Sequence, residues 1–155
     1  MSGYIMDLRK IVGHRPLLQV GASVIVEDEK GQILLQLRSD NNCWGCPGGS
    51  LELDEDIKDA AKRELFEETG LIAEELTLFD IFSGEDMHYV YPNGDEVSNV
   101  DVVYICKKYT GELRCYDGEA KMLKFFSTDD LAENLNKPNE KALKRYIRSR
   151  MTTKV

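Results

Sequence analysis

Three closely spaced glutamates are the residues of this chain best suited to chemistry. Glu64, Glu67 and Glu68 lie within the run Arg63–Leu71, which reads RELFEETGL. Like charges three or four residues apart on an exposed helix repel by roughly 0.2–0.5 kcal/mol per pair, and partial burial increases that cost. A hard divalent cation with oxygen ligands would turn the repulsion into binding. The spacing therefore predicts a divalent metal site, with a solvated acidic helix as the alternative.

A helix over Ile57–Thr69 would place these carboxylates on its inward face. At about 100° per residue, Glu64 and Glu68 fall within the apolar arc of the helix, and Glu67 lies at its edge. The arc itself consists of Ile57, Ala60, Ala61 and Leu65. Arg63 precedes Glu67 by four residues, so we expect it to orient that carboxylate through a charge-assisted hydrogen bond.

The other elements indicate an α/β fold in which a mixed sheet is covered by helices. Strands are predicted at Val20–Glu27, Ile33–Arg38, Leu76–Ser83, His88–Tyr91, Val97–Cys106 and Leu123–Phe126. The first two of these strands flank a turn and predict a hairpin, and a loop follows over Asp40–Gly49. Further helices are predicted at Ser127–Asn134 and Asn139–Arg150, and Gly70 is placed to cap the Ile57–Thr69 helix.

Size and charge limit the classes of protein and partner. The 155 residues fit a single domain over 1–155, and a composition of 42% hydrophobic and 31% charged residues is typical of a globular chain. The net charge of −8 makes a long nucleic acid a poor partner. A small anionic substrate remains compatible with it, because a local cation site can override the average charge.

The termini and cysteines favour a cytoplasmic protein that has no membrane partner. The N-terminal MSGYIMDLRK lacks the apolar core of a signal peptide, and no apolar run approaches the roughly 18–20 residues that span a bilayer. We therefore expect reduced thiols. Cys43 and Cys46 have the spacing of a thioredoxin-like motif, but Pro47 and two glycines follow where such a motif needs a helix. Cys46 is therefore predicted to be a small packing residue.

The segment Gly49–Leu71 resembles the Nudix box of the Nudix hydrolases. That motif is a glycine, five residues, a glutamate, seven residues, and then Arg-Glu-aliphatic-any-Glu-Glu-any-Gly-aliphatic. Every required position is present, at Gly49, Glu55, Arg63, Glu64, Leu65, Glu67, Glu68, Gly70 and Leu71. The resemblance implies the family fold, an α/β/α sandwich with a mixed sheet.

The resemblance also implies roles for residues that match the motif. Glu67 and Glu68 would be the principal metal ligands, with Glu64 contributing, and the metal would be Mg²⁺ or Mn²⁺. Gly48 and Glu52, in the sequence PGGSLE, are assigned to the same metal site.

Catalytic roles fall to Glu64, Glu67 and Arg63, with Arg63 as the orienting residue. The general base varies within the family and is either a glutamate of the box or an acid from a later loop. Glu119 is the loop candidate, with a plain surface acid as the alternative.

The implied reaction is hydrolysis of a nucleoside diphosphate linked to another moiety, of the ADP-ribose or nucleotide-sugar type. A MutT-type nucleoside triphosphate pyrophosphohydrolase and a non-catalytic nucleotide-binding regulator are the alternatives. Arg38 is a candidate for binding a substrate phosphate, or else a surface residue. Tyr89 is a candidate for stacking on a base, or else a packing residue. The partner would be a small nucleotide, and the resemblance implies a homodimer.

Overall fold

The computed structural model describes residues 3–115 and 120–152. Its helices are α1 (Tyr4–Val12), α2 (Ile57–Thr69) and α3 (Lys137–Thr152), with a short 3-10 helix at Glu85–Met87. Its strands are β1 (Leu17–Val26), β2 (Ile33–Arg38), β3 (Trp44–Gly45), β4 (Gly48–Ser50), β5 (Leu71–Phe82), β6 (His88–Val90), β7 (Glu96–Gly111) and β8 (Ala120–Phe126). Within these residues, no helix is both long and apolar enough to cross a membrane.

Two sheets form the centre of the fold. The larger has the order β4-β1-β7-β5, with β6 added to β7, and it is mixed because β1 and β7 run parallel while the other pairs are antiparallel. The smaller has the order β3-β2-β8 and is antiparallel.

The predicted hairpin of the first two strands is wrong. β1 and β2 belong to different sheets, and the pairing between these two segments is limited to an isolated bridge between Glu27, just after β1, and Ile33. The physical reason is that β7 pairs with β1 along its whole length, and β4 pairs with its other edge at Gly21–Ser23. β2 therefore pairs with β8, which lies far away in sequence.

Two cores, one on each face of the large sheet, establish the sandwich. The α2-side core contains Ala22, Val24, Val26, Leu34, Ala61 and Leu65. The α3-side core contains Ile25, Leu35, Phe82, Val103, Leu143 and Tyr146. Consecutive residues of β1 enter opposite cores, as strand alternation requires. The predicted α/β/α class with a mixed sheet is thus confirmed.

Helix α2 has the predicted boundaries because its ends are specified locally. The Asp56 carboxylate accepts hydrogen bonds from the backbone N–H groups of Lys58 and Asp59 at 2.9 and 3.3 Å, which is N-terminal capping. At the other end Gly70 adopts a left-handed conformation with φ of 81°. A Cβ at that position would lie 2.3 Å from the Glu112 carbonyl oxygen, so glycine is required there on both counts.

The structure corrects the helix predicted at Ser127–Asn134. This segment forms turns, with the Asp130 N–H bonded to the Ser127 carbonyl at 3.1 Å. Its end is then drawn into pairing, because the Trp44 N–H donates to the Asn134 carbonyl and Leu135 forms a parallel bridge with Trp44. Helix α1 was not predicted, and α3 begins two residues before its predicted start.

Candidate active site

Helix α2 directs the three glutamates as the helical projection predicts. The Glu68 residue is only 7% exposed and the Glu64 side chain 14%, whereas the Glu67 side chain is 49% exposed. Ala61 and Leu65 on the same helix are completely buried and hold this face against the large sheet. Two carboxylates therefore lie at the protein interior, and the third stands at its edge.

Arg63 joins the acidic residues of the motif. Its guanidinium makes a two-point contact with Glu55, at 2.7 and 2.9 Å, and also donates to Glu64 at 2.8 Å and Glu67 at 3.3 Å. A further bond of 3.2 Å reaches the Ser50 carbonyl. The hydrogen bonds from Arg63 lower the pKa of Glu55. Arg63 thus bonds to Glu67, as expected, and Glu55 anchors the arginine.

The glycines of the loop before α2 let the backbone approach the carboxylates closely. The Gly48 N–H donates to Glu68 Oε2 at 2.7 Å. A Cβ on Gly49 would lie 2.4 Å from the Glu64 carboxyl carbon and 2.6 Å from both of its oxygens. Position 49 therefore has no room for a side chain while Glu64 keeps this position.

The carboxylates are bonded to protein groups in this conformation. Glu64 and Glu67 contact Arg63, and Glu68 contacts Gly48. Accordingly, in the part of the chain that the structure describes, no three His, Cys, Asp or Glu residues are already gathered as a metal-binding group.

Two further residues were assigned from the resemblance, Glu52 and Glu119. The Glu52 carboxylate is at the start of α1, where it accepts the Tyr4 N–H at 2.9 Å, while its own N–H donates to Glu55 Oε1 at 3.1 Å. The Glu52 carboxylate therefore contacts helix α1 in this conformation, and the Glu52 backbone contacts Glu55 of the motif. Glu119 falls outside the described residues.

A cleft adjoins the Gly48–Gly49 loop. Its lining includes Ser23, Arg38, Met87, Tyr91, Asp101 and Asn139. Arg38 forms a two-point ion pair with Asp40, at 2.9 and 2.8 Å, which lowers the pKa of that aspartate. Arg38 therefore lines the cleft, which a substrate-binding residue requires. Its positive charge is partly neutralised by Asp40.

Tyr89 is placed beside the cleft lining and contacts it through other side chains. Its hydroxyl accepts a hydrogen bond from Asn41 at 3.0 Å, and its ring packs edge-to-face on Tyr91 with centroids 4.9 Å apart. Tyr91 itself lines the cleft. The structure thus offers Tyr91 as the aromatic surface there and gives Tyr89 a supporting contact.

The cysteine prediction is confirmed. Cys46 is buried in the α3-side core, where burial raises the pKa of its thiol. All four cysteines are free thiols.

Sequence reasoning missed Asp101, a buried acid on the floor of the cleft. The carboxylate interrupts the apolar strand β7 and lies against Ser23 of β1, whose hydroxyl is 2.9 Å from each carboxyl oxygen. Burial raises the pKa of Asp101 to about 7. A single acid within the run VDVVYI was the available signal, but only the parallel pairing of β1 with β7 supplies its partner.

The comparisons with known proteins agree with the motif and the fold. A sequence model described as the NUDIX domain matches residues 17–147, so the chain belongs to the Nudix family of hydrolases. Over 151 residues it is 32% identical to an ADP-ribose pyrophosphatase of Methanocaldococcus jannaschii, covering 95% of this chain and 85% of that protein. The family and enzyme class predicted from Gly49–Leu71 are thereby confirmed.

Solved structures share the architecture. The crystal structure of a MutT NUDIX hydrolase from Burkholderia pseudomallei matches with a TM-score of 0.70 at 30% identity, covering 84% of this chain and 97% of that one. The NUDIX domain of Shewanella oneidensis NrtR, solved with ADP ribose, matches with a TM-score of 0.71 over 94% of this chain and 98% of that one. At 16% identity, this second likeness concerns the fold alone.

Proposed function

We propose that this protein hydrolyses the pyrophosphate bond of a nucleoside diphosphate linked to another moiety, of the ADP-ribose or nucleotide-sugar type. The observation that carries the proposal is the placement of Glu64, Glu67 and Glu68 on one side of α2, against a glycine loop that borders a cleft. The name of the M. jannaschii relative, which matches nearly the whole chain, supports the ADP-ribose type.

The donor set fits a divalent cation of the Mg²⁺ or Mn²⁺ kind. Three carboxylates supply the hard oxygen ligands that such ions prefer. We assign Glu67 and Glu68 as principal ligands and Glu64 as a contributor, and Gly48 and Glu52 remain predicted members of the site. A bound cation would neutralise diphosphate oxygens and lower the pKa of a water molecule.

Side chains of the protein would provide the general base and hold the glutamates in position. Water adds to one phosphorus, the bridging P–O bond breaks with its electrons leaving on the departing phosphate, and a carboxylate takes the proton of the water. Glu67 is the most exposed of the three glutamates and suits this role, while Arg63 holds Glu64 and Glu67 in position. Glu119 is the second candidate, and near wild-type turnover of Glu119→Gln would remove it.

The test is an assay of purified protein with Mg²⁺ or Mn²⁺ over ADP-ribose, nucleotide sugars, dinucleoside polyphosphates and nucleoside triphosphates. We expect AMP and ribose 5-phosphate from ADP-ribose, and a loss of about 10²-fold or more in kcat for Glu67→Gln or Glu68→Gln. Asp59→Asn is the matched control, because Asp59 is an exposed acid of the same helix. Unchanged product release in both glutamate variants would refute the hydrolase mechanism.

The MutT-type alternative has its own support in the Burkholderia structure at 30% identity. The same assay separates it from the first proposal, because a nucleoside triphosphate would then yield a monophosphate and pyrophosphate while ADP-ribose stays intact. The complete set of three glutamates favours either enzyme over a non-catalytic binding protein.

A further inference from the structure

Asp101 and Ser23 form a polar pair at the floor of the cleft. They lie on the neighbouring parallel strands β7 and β1, where Asp101 stands opposite Gly21 and Ser23 stands opposite Val103. The Ser23 hydroxyl is 2.9 Å from both carboxyl oxygens, and Asp101 is only 8% exposed. Strand alternation places both side chains on the face that carries the α3-side core.

The Asp101–Ser23 pair is poorly suited to stabilising the fold. Within the described residues, Ser23 is the only group that donates a hydrogen bond to the Asp101 side chain, and no Lys, Arg or His forms an ion pair with it. A carboxyl group in such surroundings costs stability, because burial disfavours its charged form and one neutral hydroxyl offsets little of that cost. Acids retained under those conditions cluster at functional sites.

The pair also lies directly beside the loop that contacts the glutamates. A Cβ on Gly48 would be 2.9 Å from the Ser23 hydroxyl oxygen, and the Gly48 N–H bonds to Glu68. Gly48 therefore separates the carboxylates of α2 on one side from Ser23 and Asp101 on the other. A nucleotide whose diphosphate lies at the glutamates would extend its nucleoside into the cleft.

The walls of the cleft suit a flat heterocycle. Met87, Cys46 and Pro138 contribute apolar surface, and Tyr91 contributes an aromatic ring. Asn139 also lines the cleft, and its side chain is fixed because its oxygen accepts from the Cys46 N–H at 3.2 Å and from Asn136 at 3.1 Å.

We propose that Asp101, held by Ser23, determines base specificity by accepting a hydrogen bond from the amino group of adenine. The inference rests on the proposed function, since that function supplies the adenine nucleotide. Under the proposed function Arg38 and the glutamates would bind phosphate, which every nucleotide carries, so they would not distinguish one base from another. Asp101 is the acidic side chain among the residues that line the cleft, and a carboxylate accepts hydrogen bonds from a base without donating any.

The test pairs a protein change with a ligand change. ADP and purine riboside 5′-diphosphate differ by the 6-amino group, and calorimetry gives the Kd of each for the wild-type protein and for Asp101→Leu. We expect the wild-type protein to bind ADP about 10- to 100-fold more tightly than the analogue, and Asp101→Leu to bind the two equally. Asp28→Asn is the control, because Asp28 caps a turn away from the cleft.

Kinetics provide a second reading. With ADP-ribose as substrate, Asp101→Leu should raise KM by about 10- to 100-fold while kcat stays within about threefold, because the base contact is the same in the ground state and the transition state. Ser23→Ala should raise KM by a smaller factor, since Ser23 acts by positioning the carboxyl group.

The outcomes separate this inference from the proposed function. Equal discrimination between the two ligands in wild-type protein and Asp101→Leu would overturn the role of Asp101. Failure to hydrolyse ADP-ribose would overturn the proposed reaction, while the calorimetric comparison would still decide the role of Asp101. If Asp101→Leu does not fold, Asp101→Ala removes the acceptor without adding bulk, and unchanged discrimination between the two ligands in that variant would equally refute the inference.

Discussion

Substitution by alanine should have different effects at the adjacent glycines Gly48 and Gly49. We expect Gly49→Ala to lower kcat and Gly48→Ala to lower stability. In Gly49→Ala the new methyl group would lie 2.4 Å from the Glu64 carboxyl carbon, whereas ordinary contacts begin at 3.4 Å. The carboxylate must therefore move by about 1 Å, the difference between those two distances. Displacements of that size cost about 100-fold in rate where catalytic groups must be aligned.

The stability cost of Gly49→Ala should be small. The group that moves is the end of a flexible side chain, and its partly exposed ion pair with Arg63 is worth at most about 1 kcal/mol. Alanine also restricts the unfolded chain, which offsets about 0.4–1 kcal/mol. We therefore expect a Tm close to that of the wild-type protein together with a large loss of kcat.

Gly48→Ala is the matched comparison. Its methyl group would lie 2.4 Å from the Ala22 carbonyl oxygen and 2.8 Å from the Ser23 Cα, both of which belong to strand β1. Backbone cannot turn aside as a side chain can, so we expect a loss of about 1–3 kcal/mol in the free energy of unfolding and a Tm lower by several degrees.

The assays are thermal unfolding followed by circular dichroism, and turnover of ADP-ribose at saturating Mg²⁺. Full activity of Gly49→Ala, or an equal fall of Tm in both variants, would refute the reasoning that Gly49 exists to make room for Glu64.

Three further predictions concern the motif, the cleft and the core. Glu55→Gln should lower kcat by about 10-fold with little change in Tm, because Arg63 loses the two-point contact that anchors it; unchanged turnover would contradict this. Burial raises the pKa of Asp101 to about 7. Between about pH 4 and pH 7 the folded state therefore keeps a proton on this carboxyl group, whereas the unfolded state has released it. The free energy of unfolding should fall as the pH rises through that window and be level above it. Compared with Asp101→Asn, the Tm of the wild-type protein should therefore drop progressively from pH 4 to 7, and a constant difference would show that Asp101 does not titrate there. Leu143→Ala should lower the free energy of unfolding by about 2–5 kcal/mol in urea titrations, since Leu143 is completely buried in the α3-side core, and a smaller loss would mean that the core collapses around the vacancy.

Motif and helix could be predicted from the sequence because their determinants are close together along the chain. The boundaries of α2 follow from helical periodicity and from Gly70, and the inward direction of Glu64 and Glu68 follows from the same periodicity. Arg63 and Glu67 are four residues apart, so the helix alone brings their side chains into contact.

Strand pairing and helix α1 could not be predicted in the same way. The separation of β1 from β2 depends on β4 and β7 occupying the edges of β1. The segment Ser127–Asn134 has a good helix start, yet its end pairs with Trp44, more than eighty residues earlier. Helix α1 begins where the carboxylate of Glu52 accepts its first N–H.

By itself, then, the sequence determined the reaction class, because Gly49–Leu71 carries its chemistry within one loop and one helix. Only the tertiary structure decided what surrounds that chemistry. The parallel register of β1 and β7 brings Ser23 to Asp101 across 78 positions of the chain, and the Gly48 loop sets that pair beside Glu68. Such contacts depend on how distant strands align, and no local pattern of residue types encodes that alignment.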